Sequence, residues 1–255
     1  MIELQHLTKR YGELPVVDGV SLTVADGELV VLLGSSGSGK TTTLKMVNRL
    51  VEPSSGRVLV GGDDVTGLAP HELRRRIGYV FQRIGLFPHM TVAENVGITP
   101  SLLGWGASRI RARVDELLEM VELDPAAVRE RYPAALSGGQ QQRAGVARAL
   151  AASPTLMLLD EPFGSLDPLT RDRLQQSLLR IRKHLGLTAL FVTHDMVEAL
   201  TLGDRIAVMD HGQLVQVGTP RELLLHPANA YVEQLMGTPR RQARIVDDLV
   251  AGEQP

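Results

Sequence analysis

The octapeptide Gly34-Ser35-Ser36-Gly37-Ser38-Gly39-Lys40-Thr41 constrains this chain more than any other feature. It satisfies G-x-x-x-x-G-K-[ST] in full, follows the apolar run Leu29-Val30-Val31-Leu32-Leu33, and opens a segment of helical character. Its glycines let the backbone wrap an anion, so that several N–H groups point at one phosphate. A helix beginning near Lys40 adds the positive end of its dipole. Lys40 brings a full charge to the terminal phosphates, and the Thr41 hydroxyl is suited to ligate Mg²⁺. The candidate cradle is Gly34, Ser35, Ser36, Gly37, Ser38, Gly39, Lys40, Thr41 and Thr42. A flexible Gly/Ser turn would explain the glycines but not the strand, lysine and helix around them.

The surroundings of that loop suggest a fold class. Short apolar runs recur and each stops at a polar or glycine residue. The run 77–81 stops at Gln82, 156–159 at Asp160, and 189–192 at Thr193-His194. Runs this short and branched, without alternation, suit strands buried on both faces. Helical patterns over 41–50, 169–185 and 196–202 follow several of them. The expectation is an α/β fold, a P-loop core with a parallel sheet flanked by helices. Segments 2–10 and 16–24 instead alternate, with Asp18-Gly19 and Asp26-Gly27 as turn signals, and predict an antiparallel β-subdomain. Residues 86–152 read as a helical insertion: Ile110, Val114, Leu117, Leu118 and Val121 share a helical face, and 138–152 favours helix by composition. The expected division is a core over 1–85 and 153–237, a helical subdomain over 86–152, and a polar tail over 238–255, either a loose end or a short surface helix. At about 150 residues per domain, 255 residues allow such a core with a subdomain.

Composition removes whole classes of function. The chain has no cysteine, so disulfides, zinc–cysteine sites, iron–sulfur clusters and thiol nucleophiles are excluded together. Its 27 basic and 29 acidic residues give a net charge of −2, without the strongly basic footprint of a nucleic-acid binder. No apolar stretch approaches the ~20 residues of a membrane span. The start, Met1-Ile2-Glu3-Leu4-Gln5-His6, shows no signal peptide. Any membrane role is expected to come through a partner.

A second chemical site follows the run 156–159. Asp160-Glu161 puts two carboxylates at the end of a buried strand, where ligands bind in open α/β sheets. Asp160 is suited to hold a Mg²⁺ hydration shell, and Glu161 to act on an attacking water as general base. A charged strand-to-loop exit is the plainer alternative. Leu136-Ser137-Gly138-Gly139-Gln140 is the most informative pentapeptide. Ser137 is a good N-cap and the two glycines allow close backbone approach, which makes a second phosphate-binding helix start.

With the phosphate loop before it and Asp160-Glu161 after it, LSGGQ makes the chain resemble the ATP-binding subunit of ABC transporters, over about residues 1 to 237. The resemblance implies ATP and Mg²⁺ as ligands. It implies a head-to-tail homodimer in which Ser137, Gly138, Gly139 and Gln140 of one chain cover the nucleotide held by another. Further residues match one at a time. Tyr11 lies where the family has an aromatic that stacks on adenine, though a strand-edge tyrosine would look the same. Gln82 matches the glutamine that senses Mg²⁺ and water; a surface amide is its alternative. Asp167, in Gly164-Ser165-Leu166-Asp167, matches a residue of the dimer interface or simply begins a helix. His194 matches the switch histidine on the γ-phosphate. Catalysis is thereby expected of Glu161, His194, Gln82 and Lys40, with Mg²⁺ at Thr41, Asp160 and Gln82. His6, His71, His89, His184, His211 and His226 show no metal spacing and read as structural or surface residues.

Residues 82–95 are apolar yet bordered by loop residues, fitting either internal packing or, as the resemblance implies, a groove for a membrane permease subunit. Three pieces are similar to importer ATPases for quaternary-amine osmoprotectants such as glycine betaine, choline or carnitine. They are Ile84-Gly85-Leu86-Phe87-Pro88-His89-Met90-Thr91, Glu161-Pro162-Phe163-Gly164-Ser165-Leu166-Asp167-Pro168, and Val215-Gln216-Val217-Gly218-Thr219-Pro220 with His226-Pro227-Ala228-Asn229. This implies a peripheral place on the cytoplasmic face of a membrane and an indirect link to an extracytoplasmic substrate-binding protein. Many relatives continue into C-terminal CBS domains. The residues after 237 are too few for one, which puts ionic-strength sensing of that type in doubt. The alternatives are an importer for another solute such as amino acids, a soluble ABC ATPase, or a non-catalytic nucleotide binder. The chain has one phosphate loop and no long heptad run between Lys40 and Asp160, against the second of these. Glu161 and His194 argue against the third.

Overall fold

Parallel strands must be joined by crossovers and covered on both faces, and the apolar runs meet both demands. The computed structural model describes residues 1–82, 85–164 and 166–251; Arg83, Ile84 and Ser165, which fall in the motifs above, and 252–255 of the tail lie outside the described residues. Its strands are β1 (Ile2–Tyr11), β2 (Leu14–Val24), β3 (Leu29–Leu33), β4 (Ser55–Val60), β5 (Asp63–Asp64), β6 (Ile77–Val80), β7 (Leu156–Asp160), β8 (Thr188–Thr193), β9 (Arg205–Asp210) and β10 (Gln213–Gly218). Its helices are α1 (Lys40–Val47), α2 (Pro70–Arg76), α3 (Val92–Leu102), α4 (Ala107–Met120), α5 (Pro125–Val128), α6 (Gly138–Leu150), α7 (Pro168–Leu185), α8 (Met196–Leu202), α9 (Pro220–Leu225) and α10 (Ala230–Ala251).

Six strands form the central sheet in the order β10-β9-β3-β8-β7-β6. All neighbours are parallel except the β9–β10 hairpin. All five residues of β3 are fully buried, and they alternate between two apolar clusters. Leu29, Val31 and Leu33 join one face with Leu174, Leu178 and Ile181 of α7. Val30 and Leu32 join the other with Leu44, Met46 and Val47 of α1. Burial of each such side chain contributes about 1.5–3 kcal/mol. The second face also receives Ile2, Leu4, Val20 and Leu22 from a four-stranded antiparallel sheet, β2-β1-β4-β5. On the first face α3, α4 and α6 pack on one another through Val96, Val114, Leu117, Leu118 and Leu150.

Three local expectations are corrected. Asp18-Gly19 is not a hairpin turn. It lies inside β2, where Leu7 pairs with Val20 but Lys9 with Val17, so β2 carries one extra residue in a bulge and Gly19 takes φ +63°. The hairpin turns at Gly12-Glu13 instead. The helix expected over 41–50 ends at Val47, because Arg49 adopts φ +54° and the Leu50 and Val51 amides both turn back to the Lys45 carbonyl. Residues 238–251 of the polar tail are neither a loose end nor a short helix: they continue α10, which runs through Pro239. Fully buried Val232 and Met236 anchor the first turns of α10, and elongation from an anchored helix adds a hydrogen bond per residue. Among the described residues no helix is long and apolar enough to cross a membrane.

Candidate active site

Register brings the sequence-distant motifs together. Leu33 pairs with Thr193, Asp160 with Val192, and Val80 with Leu159. The residues leaving these strands, Gly34, Gln82, Glu161 and His194, therefore emerge along one edge of the sheet, at its C-terminal end. That edge is where an open α/β sheet binds ligands.

The phosphate loop is tightly seated. A Cβ on Gly34 would lie 2.1 Å from the Met209 carbonyl oxygen, and one on Gly39 2.6 Å from the Val16 oxygen. Gly39 also takes φ +99°, as the residue before α1. Lys40 Nζ folds back to donate to the carbonyls of Gly34 (2.8 Å) and Ser35 (2.7 Å), with Ser38 Oγ at 3.4 Å. Burial lowers the Lys40 pKa against the pull of Glu161 and Asp160, which raise it. The charge is thus held close to the carboxylates at the sheet edge.

Thr41 Oγ1 donates to Asp160 Oδ1 at 2.8 Å, and Tyr79 Oη reaches Asp160 Oδ2 at 3.4 Å. Burial lifts the Asp160 carboxyl above its ordinary value, opposed by the Thr41 hydrogen bond and the Lys45 charge. Burial also raises the Tyr79 phenol, with Asp160 adding to the shift, so Tyr79 stays a donor. Glu161 sits in the left-handed region at φ +43°, its amide donating across to the Val192 carbonyl. A non-glycine residue held there costs of order 1–3 kcal/mol, and such strain clusters at functional sites. Glu161 Oε2 accepts from Gln82 Nε2 at 3.0 Å and lies 3.3 Å from His194 Nδ1. His194 itself is 61% exposed.

Thr193, the residue before that histidine, is tied to Glu198, and sequence reading missed both. Thr193 Oγ1 donates to Glu198 Oε2 at 2.6 Å and accepts from the Asp195 amide at 3.0 Å; Gln175 of α7 donates to Glu198 Oε1. Burial raises the Glu198 carboxyl. A charged residue in the first turn of a helix reads as a dipole partner in sequence, which hid this one. Tyr79 likewise reads as a strand aromatic.

The remaining residues lie elsewhere. Ser137 caps α6 in a reciprocal pair: Gln140 N donates to Ser137 Oγ at 3.3 Å, and Ser137 N to Gln140 Oε1 at 3.0 Å. Ser137, Gly138, Gly139 and Gln140 share a cleft of about 530 Å³ with Asp167 and Thr170. Asp167 caps α7 by accepting from the Thr170 amide at 3.0 Å, and these bonds hold its carboxyl below the usual range. No hydrogen bond joins 137–140 to 34–42 among the described residues. Tyr11 ends β1, 55% exposed, its ring under Lys9 Nζ at 5.1 Å. Ser36, Gly37 and Thr42 complete the loop, with Ser36 and Gly37 exposed.

A phosphate loop, an acidic strand end and a switch-like histidine on a parallel sheet define a P-loop NTPase. The sequence profile described as ABC transporter matches residues 17–164. The glycine betaine/carnitine/choline transport ATP-binding protein OpuCA of Bacillus subtilis (strain 168) is 51% identical over 241 residues, 94% of this chain and 63% of that protein. The glycine betaine uptake system ATP-binding protein YehX of Escherichia coli (strain K12) is 50% identical over 246 residues, 96% of this chain and 80% of that one. The dimeric structure of MJ0796, a bacterial ABC transporter cassette, superposes with TM-score 0.79 at 36% identity, covering 87% of this chain and 99% of that one. The chain belongs to the ABC transporter family. It spans just under two thirds of the length of the Bacillus relative.

Proposed function

We propose that the chain is the ATP-hydrolysing subunit of an ABC importer for osmoprotectant quaternary amines. Two copies would join head to tail around two MgATP, attached to membrane permease subunits on the cytoplasmic side and served by an extracytoplasmic binding protein. The observation that carries the reading is the convergence of Lys40, Thr41, Asp160, Glu161, Gln82 and His194 on one sheet edge. A second prepared helix start, at Ser137, faces a different cleft of the same chain.

In this reading residues 1–85 and 153–237 hold the nucleotide, and 86–152 carry the signature. Tyr11 stacks on the adenine. The backbone of 34–42 and Lys40 bind the phosphates. Thr41 and Gln82 would hold Mg²⁺ and Asp160 would hold its water shell: the set offers oxygen donors and no soft ligand, as this cation prefers. When bound it neutralises charge on the phosphates. Glu161, braced on Oε2 by Gln82 and His194, orients the attacking water and takes its proton. Lys40 and His194 stabilise charge on the γ-phosphate. Ser137, Gly138, Gly139 and Gln140 close over the nucleotide of the other copy, with Asp167 at the seam.

A groove of about 670 Å³ bordered by Gln82, Phe87, Ile98, Leu102 and Arg74 supports the permease contact. The groove is bordered by Gln82, which touches Glu161, so a partner seated in it would lie beside the site. The osmoprotectant class rests on the names of the relatives. Uptake of labelled glycine betaine by cells with and without this subunit tests it. Loss of uptake on deletion, restored by the wild type and not by Glu161→Gln, is expected. Unchanged uptake would point to a different solute.

A further inference from the structure

The paired motifs around Gln216 and His226 have no place in the chemistry above, yet they build one contact with it. Gln216 Nε2 donates to the His226 carbonyl at 2.9 Å, and Gln216 Oε1 accepts from the Ala228 amide at 2.8 Å. One carboxamide thus clips the 226–228 loop to β10. Asn229 Oδ1 then accepts from the Val232 amide at 3.0 Å and starts α10. Val232 and Met236 are buried in the core, so the first turns of α10 have a fixed rotation. That rotation aims Tyr231 at the phosphate loop: Tyr231 Oη accepts from the Ser35 amide at 3.1 Å, across 196 residues.

Ser35 is gripped at both ends of its backbone. Its amide is held by Tyr231, and its carbonyl accepts from Lys40 Nζ at 2.7 Å. It lies in the exposed stretch 35–37, and its carbonyl also accepts from the Ser38 amide at 3.2 Å. We infer that Tyr231 is a positioning residue for nucleotide binding, holding Ser35 so that Lys40 is pre-set for phosphate, and that Gln216 and the 226–229 loop exist to aim it. The inference rests on the nucleotide-binding reading above. A pre-set loop binds more tightly because less freedom is lost on binding.

The test is Tyr231→Phe in the full chain, which keeps the packed ring and removes only the hydroxyl. MgATP affinity is expected to fall about three- to tenfold, the range of one hydrogen bond. Exchange of the Ser35 amide with solvent, followed by NMR in the nucleotide-free protein, is expected to quicken while the melting temperature stays put. Gln216→Ala should move both readouts the same way. An unchanged affinity, or unchanged Ser35 exchange, in Tyr231→Phe overturns the inference. If the wild type itself binds no ATP, the nucleotide-binding reading falls instead, and the Ser35 exchange still decides whether Tyr231 holds the loop.

Discussion

Lys40 and Asp160 show how single residues are prepared at a cost to the fold. Lys40 is buried and uses its ammonium group to satisfy two carbonyls of its own loop. Lys40→Ala removes both the phosphate's counter-charge and the partner of those carbonyls. A charged hydrogen bond contributes about 1.5–3 kcal/mol, so ATP affinity should drop by at least roughly tenfold. Calorimetry checks this, and unchanged binding would refute the assignment of the loop. Asp160 carries a pH signature. Burial lifts its carboxyl above the ordinary value, so its neutral form favours the folded state. That contribution is present below the unfolded value, about 3.9, and is lost as pH rises through the higher folded value. Ionised Asp160 is thus a burden on the metal-free fold at neutral pH. Asp160→Asn keeps an oxygen for the Thr41 hydroxyl and removes the charge. Without metal, its melting temperature should exceed that of the wild type at pH 8, with the difference shrinking at acid pH. A lower melting temperature at pH 8 would contradict the argument.

At the scale of elements, helix starts carry the chemistry and strands place them. α1 begins at a glycine that can take φ +99°, and α6 at a serine that closes a reciprocal cap with Gln140. Ser137→Ala removes one half of that cap and should cost about 1 kcal/mol. The corresponding fall in melting temperature is roughly 2–4 °C for a domain of this size. If Ser137 also touches the partner's nucleotide, ATP-driven dimer formation should fall far more than this small loss predicts. Size-exclusion chromatography with ATP separates the two roles. Much of the central sheet is legible: the runs 29–33, 77–81, 156–159 and 189–192 are β3, β6, β7 and β8, and the helix over Met196–Leu202 appears where the pattern puts it, while the sequence reading passes over β9 and β10. Misreadings cluster where backbone conformation departs from composition. Asp18-Gly19 has turn chemistry, but its register makes a bulge. The helix over 41–50 is cut short by one left-handed arginine.

For the whole molecule, the loop over 34–42 and the Ser137 helix start, the two half-sites of the proposed reading, share no hydrogen bond among the described residues. The cradle of 34–42 opens at the sheet edge, while the Ser137 helix start opens into the cleft with Asp167 and Thr170. In the proposed reading a complete site needs a second copy. Glu161→Gln should bind MgATP, hydrolyse it at a small fraction of the wild-type rate, and accumulate as a closed dimer in light scattering. A monomeric and fully active variant would sink this picture.

The sequence by itself determined the class of chemistry. Residue types at the ends of buried strands name the phosphate loop, the acidic pair and the histidine. That information is local, because a loop, a cap or a strand end is built within about ten residues. Only the tertiary structure decided which of those ends meet. It set Gln82 and His194 on the same oxygen of Glu161, placed Tyr79 against Asp160, and brought Tyr231 to Ser35. These contacts follow from strand order, register and the rotation of packed helices. Those are set by burial summed over the whole core, which no short segment contains.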